Sequence, residues 1–206
     1  RETSGQKLVK NLIGRDVPVV ADPTILANRR IWDDLKGDRL IKKDYIMCYF
    51  LGNNPNHRKL AEELSKKTGL PIVTLPHGDE IVKADFGFGE IKPQGVGPAE
   101  FVNLISNAKY VCTDSFHGTV FSILYKRQFM VFNRYTADVN GKSSTNSRLS
   151  SLLNLLGLEK RLYDSNKGLK QDMFDLINFE TARKNIKELR EQSLAYLKNA
   201  LSDSRI

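Results

Sequence analysis

Apolar residues follow two alternating rhythms along this chain. Short runs of β-branched and aromatic residues at Val17–Ala21, Asp44–Leu51, Pro71–Leu75, Tyr110–Thr113 and 128–132 have the length and composition of buried strands. Helical spacing fills the intervals between them. Asn54-Pro55 open a helix that runs to Thr68, with Leu60, Ala61 and Leu64 on one face and Gly69 as its stop. Pro98 to Ala108 forms another, with Phe101, Leu104 and Ile105 on its buried side. From His117 to residue 126 the positions Val120, Phe121, Ile123 and Leu124 keep the same period. Ser147–Leu156 is a short helix ended by Gly157. A C-terminal helix lies within 179–203, periodic from Thr181 to Leu201, with Ile186, Leu189, Ser193, Leu194 and Leu197 near one face. The stretch Asn133–Thr145 lacks any period, is rich in Asn, Ser, Thr and Gly, and reads as a long loop. This alternation predicts a Rossmann-like α/β fold over residues 1–206, a parallel sheet with helices on both faces.

Ligands of such sheets bind beyond the carboxyl ends of the strands, which directs attention to the turn after Tyr110–Thr113. Asp114 or Ser115 caps the helix that follows, and His117-Gly118-Thr119 form its first turn. Unpaired N–H groups and the positive end of the dipole suit an anion there. Gly118 lets a ligand approach the backbone, His117 supplies a proton or a hydrogen bond, and Asp114 is a candidate to hold the imidazole in one tautomer. Gly95-Val96-Gly97-Pro98 is a turn opening a helix and a candidate second wall of the cleft, with Glu100 in its first turn. His57, beside Arg58, is expected to be solvated, and His77 sits in a loop. The spacing of the three His supports no metal site.

Composition narrows the classes. Apolar content of 40% and charged content of 27% in 206 residues describe a globular chain with a real core. No apolar run approaches the roughly 20 residues that span a bilayer. The net charge of +8 is spread over Arg29-Arg30, Lys42-Lys43, Lys66-Lys67 and Arg183-Lys184, and no RNA or DNA module is visible, so nucleic acid is not an expected partner. Cys48 and Cys112 fall inside strand patterns as core thiols, which suits a reducing cytoplasm, with the inner face of the membrane as a place of work. The opening Arg1-Glu2-Thr3-Ser4-Gly5 carries no apolar signal region and reads as a piece of a longer protein.

The stretch Asp114-Ser-Phe-His-Gly-Thr, with Gly97-Pro98-Ala99-Glu100-Phe101 and Asn107-Ala108-Lys109-Tyr110-Val111 before it, resembles the core motif of the polysaccharide pyruvyl transferase family. Arg1-Glu2 resembles the family's Arg-acidic pair, and Ala21-Asp22-Pro23-Thr24-Ile25-Leu26 its Asp-Pro-Thr segment. Asn146-Ser-Arg148-Leu149 with Leu152-Leu153, Gly157-Leu158 and Arg161 resembles its C-terminal block. Where some members read Arg-Leu-His, this chain has Ser115-Phe116-His117, so Arg134, Lys142 or Arg148 takes over the anion-binding role.

The resemblance implies the C-terminal, donor-binding half of a two-domain enzyme, similar to the C-terminal domain of a GT-B type transferase. It implies phosphoenolpyruvate as donor substrate and no cofactor or metal. The acceptor is a glycan or lipid-linked sugar that receives pyruvate as a ketal, and the missing N-terminal half is a partner without which the chain is inactive. On this reading His117 and Asp114 are catalytic. Ser115, Gly118, Thr119, Glu100, Arg1, Arg134, Lys142 and Arg148 hold substrate. Two alternatives remain at the level of sequence, a nucleotide-sugar glycosyltransferase half with Glu100 on the ribose, and a non-catalytic module for anionic glycans or partner proteins.

Overall fold

The structure, a computed structural model, describes residues 2–135 and 144–202. In chain order its main elements are α1 (Thr3–Ile13), α2 (Pro23–Leu26), α3 (Arg29–Lys36), β1 (Ile46–Tyr49), α4 (Pro55–Thr68), β2 (Ile72–Thr74), α5 (Pro98–Asn107), β3 (Tyr110–Thr113), α6 (Phe116–Leu124), β4 (Gln128–Phe132), α7 (Ser144–Leu156), β5 (Leu162–Tyr163) and α8 (Glu180–Ser202). The strands form one parallel sheet in the order β2-β1-β3-β4-β5. This is the α/β architecture expected from the alternation of patterns.

Each strand is apolar on both faces, as sheets covered on both sides require. Tyr45, Met47, Val111, Phe129 and Val131 face one core, shared with Leu104 and Ile105 of α5, Val120 of α6 and Leu153 of α7. Ile46, Cys48, Cys112, Met130 and Phe132 face the other, closed by Leu60, Ala61 and Leu64 of α4 and by Met173. Cys48 and Cys112 lie opposite each other on neighbouring strands, both buried as free thiols. Asn54 caps α4 by accepting the Asn56 N–H at 3.0 Å, and Gly69 ends it in the left-handed conformation.

The segment Val17–Ala21 is not a strand. It is extended, but Pro18 removes a ladder donor. Two of its backbone groups are taken by side chains: Gln6 Nε2 donates to Val17 O at 2.6 Å, and the Ala21 N–H donates to Ser193 Oγ at 2.9 Å. Helix α8 thus holds this segment from behind, and Arg190 Nη2 donates to Leu26 O at its far end. Along α8 the buried positions are Ala182, Leu189 and Ser193, while Leu194 and Leu197 are exposed, so the apolar stripe expected there leaves the core after Ser193. Of the loop expected over Asn133–Thr145, residues 136–143 lie outside the described residues, and α7 begins already at Ser144.

Ser115 caps α6, its Oγ accepting the Gly118 N–H at 3.3 Å. Gly118 is needed for close packing of the helix on β3. A Cβ there would stand 2.6 Å from Thr113 Oγ1, and that hydroxyl is held by Tyr49 O at 2.6 Å. Overpacking of this kind costs about 1–3 kcal/mol, against about 1 kcal/mol gained in helix propensity. Gly118→Ala is therefore expected to lower the melting temperature, at about 2–4 °C for each kcal/mol lost in a chain of this size. Thermal denaturation at or above the wild-type midpoint would show that Thr113 can turn away.

Candidate functional site

The chain leaves β1 toward β2 on one side and returns to β3 on the other, so the carboxyl ends of β1 and β3 flank the switch point where such sheets bind ligands. Asp114, just after β3, fills that crevice. Its Oδ1 accepts the Leu51 N–H at 2.6 Å and its Oδ2 accepts the Gly52 N–H at 2.9 Å. A Cβ on Gly52 would stand 2.9 Å from Asp114 Oδ2 and equally close to Arg134 Cγ. Burial pushes the Asp114 carboxyl above the ordinary value, while the two N–H groups and the charges of Arg134 and Arg58 pull it back. An internal carboxylate therefore stands where a bound anion would otherwise meet this turn.

Asp114 does not meet His117, as the sequence suggested it would. The carboxylate beside His117 belongs to Asp22, whose Oδ1 lies 3.7 Å from His117 Nε2. Asp22 is buried and caps α2, Oδ1 accepting from Thr24 N at 3.0 Å and from Thr24 Oγ1 at 2.6 Å. The distance to His117 is an ion-pair separation for an imidazolium and too long for a hydrogen bond. The His117 side chain is 49% exposed and borders a cleft of about 500 Å³. The floor of that cleft is aromatic. Trp32 meets Phe121 edge-on at 5.1 Å, Tyr49 meets Phe101 at 4.8 Å, and Phe101 meets Phe121 at 6.1 Å. Gly97 and Pro98 also line it.

The first turn of α6 offers fewer donors than its position promised. The Gly118 N–H goes to Ser115 Oγ and the Thr119 N–H to Ser115 O, and Thr119 is fully buried. Gly118 packs against Thr113 of β3 and Thr119 is buried, whereas Ser115 lines the cleft beside His117. The His117 N–H is the first-turn donor left without an acceptor among the described residues. Glu100 has an internal task as well, since its Oε2 accepts the Gly97 N–H at 2.9 Å and closes the start of α5.

Arg134, just after β4, is half-buried over Gly52, and its Nε has no hydrogen-bond partner among the described residues. Arg148 is half-buried on α7. Near it, Ser147 Oγ donates to Glu2 Oε2 at 3.0 Å, and Thr3 N–H donates to Ser151 Oγ at 3.4 Å, so the start of the chain packs on the start of α7. Arg1 and Lys142 lie outside the described residues. Among the described residues, no group of three or more His, Cys, Asp or Glu side chains is placed to hold a metal ion, and no helix is long and apolar enough to cross a membrane.

The model of the polysaccharide pyruvyl transferase family matches residues 1–135. The chain belongs to that family. The matched part contains α6 with His117 and the segment with Asp22, and it ends at Tyr135, before the Asn146–Arg148 block. Among solved structures, the UDP-GlcNAc 2-epimerase from Methanocaldococcus jannaschii is similar at 15% identity, over 89% of this chain and 58% of that one, with a TM-score of 0.42. The chain therefore spans little more than half the length of that protein. A comparison with curated proteins gave no match.

Family membership gives the meeting of Asp22 with His117 its interest, because two separated family segments converge on one imidazole. The pattern Asp22-Pro23-Thr24 signals a helix cap, and nothing in the spacing says which side chain lies opposite it.

His57 was also missed. It is 1% exposed, stacked on Phe132 at 4.8 Å between ring centroids. Its neighbour Arg58 donates through Nε and Nη2 to Asp85 Oδ1, at 2.9 and 2.6 Å, and through Nη1 to Gly52 O and Asn54 O. His77 Nδ1 lies 2.7 Å from Asp85 Oδ2, so the loop after β2 is tied to the start of α4. These hydrogen bonds outweigh burial and hold the Asp85 carboxyl below its ordinary value.

Burial, with the Arg58 charge behind it, lowers the His57 imidazole from 6.5 to about 4. The unfolded chain then binds more protons than the folded one between those values, so stability falls as pH drops from about 6.5 to about 4 and levels off below. At about 1.4 kcal/mol per pH unit, the loss is about 3 kcal/mol. Asp114, raised by burial, acts in the opposite sense, so the test compares two proteins. His57→Phe keeps the stack on Phe132 and is expected to flatten urea-midpoint curves across that window. Equal slopes for variant and wild type would show that His57 is not held neutral.

Proposed function

We propose that this chain is the donor-binding half of a polysaccharide pyruvyl transferase, working on the cytoplasmic side of a membrane with an N-terminal half that completes a GT-B-like cleft. The observation that carries the reading is His117. In a chain of this family, an accessible imidazole stands at the start of a helix, over an apolar cleft at the carboxyl edge of the sheet, with a buried carboxylate 3.7 Å away.

The donor would be phosphoenolpyruvate. Protonation of its methylene carbon leaves a cation at C2, a sugar hydroxyl adds there and loses its proton, and a second hydroxyl then displaces phosphate to close the ketal. His117 is placed to give or receive a proton, or to contact the phosphate as imidazolium, with Asp22 stabilising the charged ring. Arg134 stands at the switch point, over Gly52, and Arg148, Arg1 and Lys142 are further candidates for the donor's two anionic groups. An aromatic floor keeps water from the cation and presents an apolar face to a sugar ring. Glu100, which a nucleotide-sugar enzyme would place on a ribose, already has one carboxylate oxygen on Gly97 N–H.

In the two-half enzyme, His117→Ala is expected to reduce pyruvyl transfer by about 10²–10⁴-fold, the usual contribution of a general acid or base. Asp22→Asn keeps an oxygen to cap α2 and should lower turnover without lowering the melting temperature. Wild-type rates in a folded His117→Ala protein, measured as phosphate release from phosphoenolpyruvate with acceptor present, would remove His117 from the chemistry. Robust turnover by residues 1–206 alone would overturn the two-half reading.

A further inference from the structure

A parallel sheet brings the segments that precede its strands to one edge, here the edge opposite the His117 cleft. Every one of those segments is basic. Lys66 and Lys67 precede β2, Lys42 and Lys43 precede β1, and Lys109 precedes β3. Lys126 and Arg127 precede β4, and Lys160 precedes β5. All these lysines are exposed, and Arg127 is half-buried. Charge that is dispersed along the sequence is thus gathered by the fold on one face.

The charge is poorly compensated. Among the described residues, none of Lys42, Lys43, Lys66, Lys109, Lys126 and Lys160 makes an ion pair. The acids of this edge, Asp38, Asp44, Glu90, Glu159, Asp172 and Asp175, are fewer than its cations. Two of them are already engaged, Asp44 with Arg39 at 3.1 Å and Glu90 with the Ile72 N–H at 2.7 Å. Lys126 also shares a hollow with Arg29 and Arg183. Burial and the like charge of Arg29 lower the Arg127 guanidinium from its ordinary value.

Helix dipoles explain part of this. Lys66 and Lys67 sit in the last turn of α4, where a cation is favoured. Lys42 and Lys43 end no helix, and two large apolar side chains stand among the cations. Leu176 is 86% exposed and Leu40 is 53% exposed. Leu176 is held at this edge by its neighbour, since the Ile177 N–H donates to Gln128 Oε1, on the first residue of β4, at 3.2 Å. Leu40 is held by Arg39, whose Nη2 donates to Lys43 O at 2.8 Å and to Asp44 Oδ1 just before β1. A nucleic acid would match the lysines and leave both leucines in water. An anionic bilayer matches both, phosphates for the lysines and an apolar layer beneath them for the leucines.

We propose that the amino edge of the sheet is a docking face for an anionic membrane surface, with its lysines on lipid phosphates and Leu40 and Leu176 entering the headgroup layer. The proposal rests on the transferase reading only for the presence of a membrane, and adds which face meets it. The His117 cleft then opens away from the bilayer.

The test sediments residues 1–206 with sucrose-loaded vesicles, either of phosphatidylcholine alone or of phosphatidylcholine mixed with phosphatidylglycerol. Binding to the mixed vesicles is expected at low salt, to fall as salt screens the charges, and to be absent from neutral vesicles. Lys42→Gln with Lys109→Gln should weaken partition by about fivefold for each lysine. Lys7→Gln with Lys83→Gln removes the same charge from α1 and from the loop after β2, away from this edge, and should bind as wild type. Leu176→Trp places an indole at the edge, and brominated lipid should quench it. Trp32, the one native Trp, lines the cleft and should keep its emission. The proposal is overturned if neutral vesicles bind equally, if both lysine pairs weaken partition alike, or if the added indole stays unquenched in bound protein. Duplex DNA is a further arm, and tighter binding to it than to mixed vesicles at equal phosphate concentration also overturns the proposal. No donor or acceptor enters this assay and no vesicle enters the phosphate-release assay, so the two readings can fail separately.

Discussion

The carboxylate of Asp114 on the N–H groups of Leu51 and Gly52 is the contact around which this edge of the molecule is arranged. It fastens the end of β3 to the end of β1 where the chain reverses its direction of travel across the sheet. A buried carboxylate is costly unless it is bonded, and here the turn supplies two donors while Arg134 and Arg58 supply charge. The fit is tight enough that residue 52 has no room for a side chain. Beside this filled crevice, the cleft at His117 opens on the α5–α6 face of the sheet.

The two faces of this edge differ as the residues behind them differ. On the α5–α6 side the floor is aromatic and the polar group at its rim is one imidazole that reaches solvent. On the α4 side lie Asn133, Tyr163 and the buried imidazole of His57. The division begins in the alternation of β1 and β3, whose neighbouring residues point to opposite faces and call for different covering helices.

Much of this was legible in the sequence wherever period and punctuation agree. Asn54-Pro55 and Gly69 bound α4 as they stand in the chain, and the apolar run at Tyr110–Thr113 became β3. Helix α3, Arg29–Lys36, was not foreseen because its Arg, Asp and Lys outnumber its apolar residues, and β5 is only two residues long. Val17–Ala21 has strand composition, but Pro18 and the competing side chains of Gln6 and Ser193 keep it out of the sheet. At the site, His117 could be singled out by its place before a helix. Its neighbour could not, because Asp22 lies ninety-five positions away and only folding decides which carboxylate approaches the ring. His57 misled for the related reason that an Arg beside it suggested solvent, whereas that Arg is itself buried against Asp85.

The grip of α8 on the Asp22 segment bears on when the molecule can become competent. Ala21 is anchored by Ser193 and Leu26 by Arg190, so this segment waits for residues 172 and 164 positions further along the chain. During synthesis the sheet can pair strand by strand as it emerges, since β1 to β5 are complete by residue 163. The segment that brings a carboxylate to His117 gains the contacts of Ser193 and Arg190 only after residue 193 has left the ribosome. Maturation of the cleft is thereby set as a late, post-assembly event, separate from formation of the sheet on which it rests.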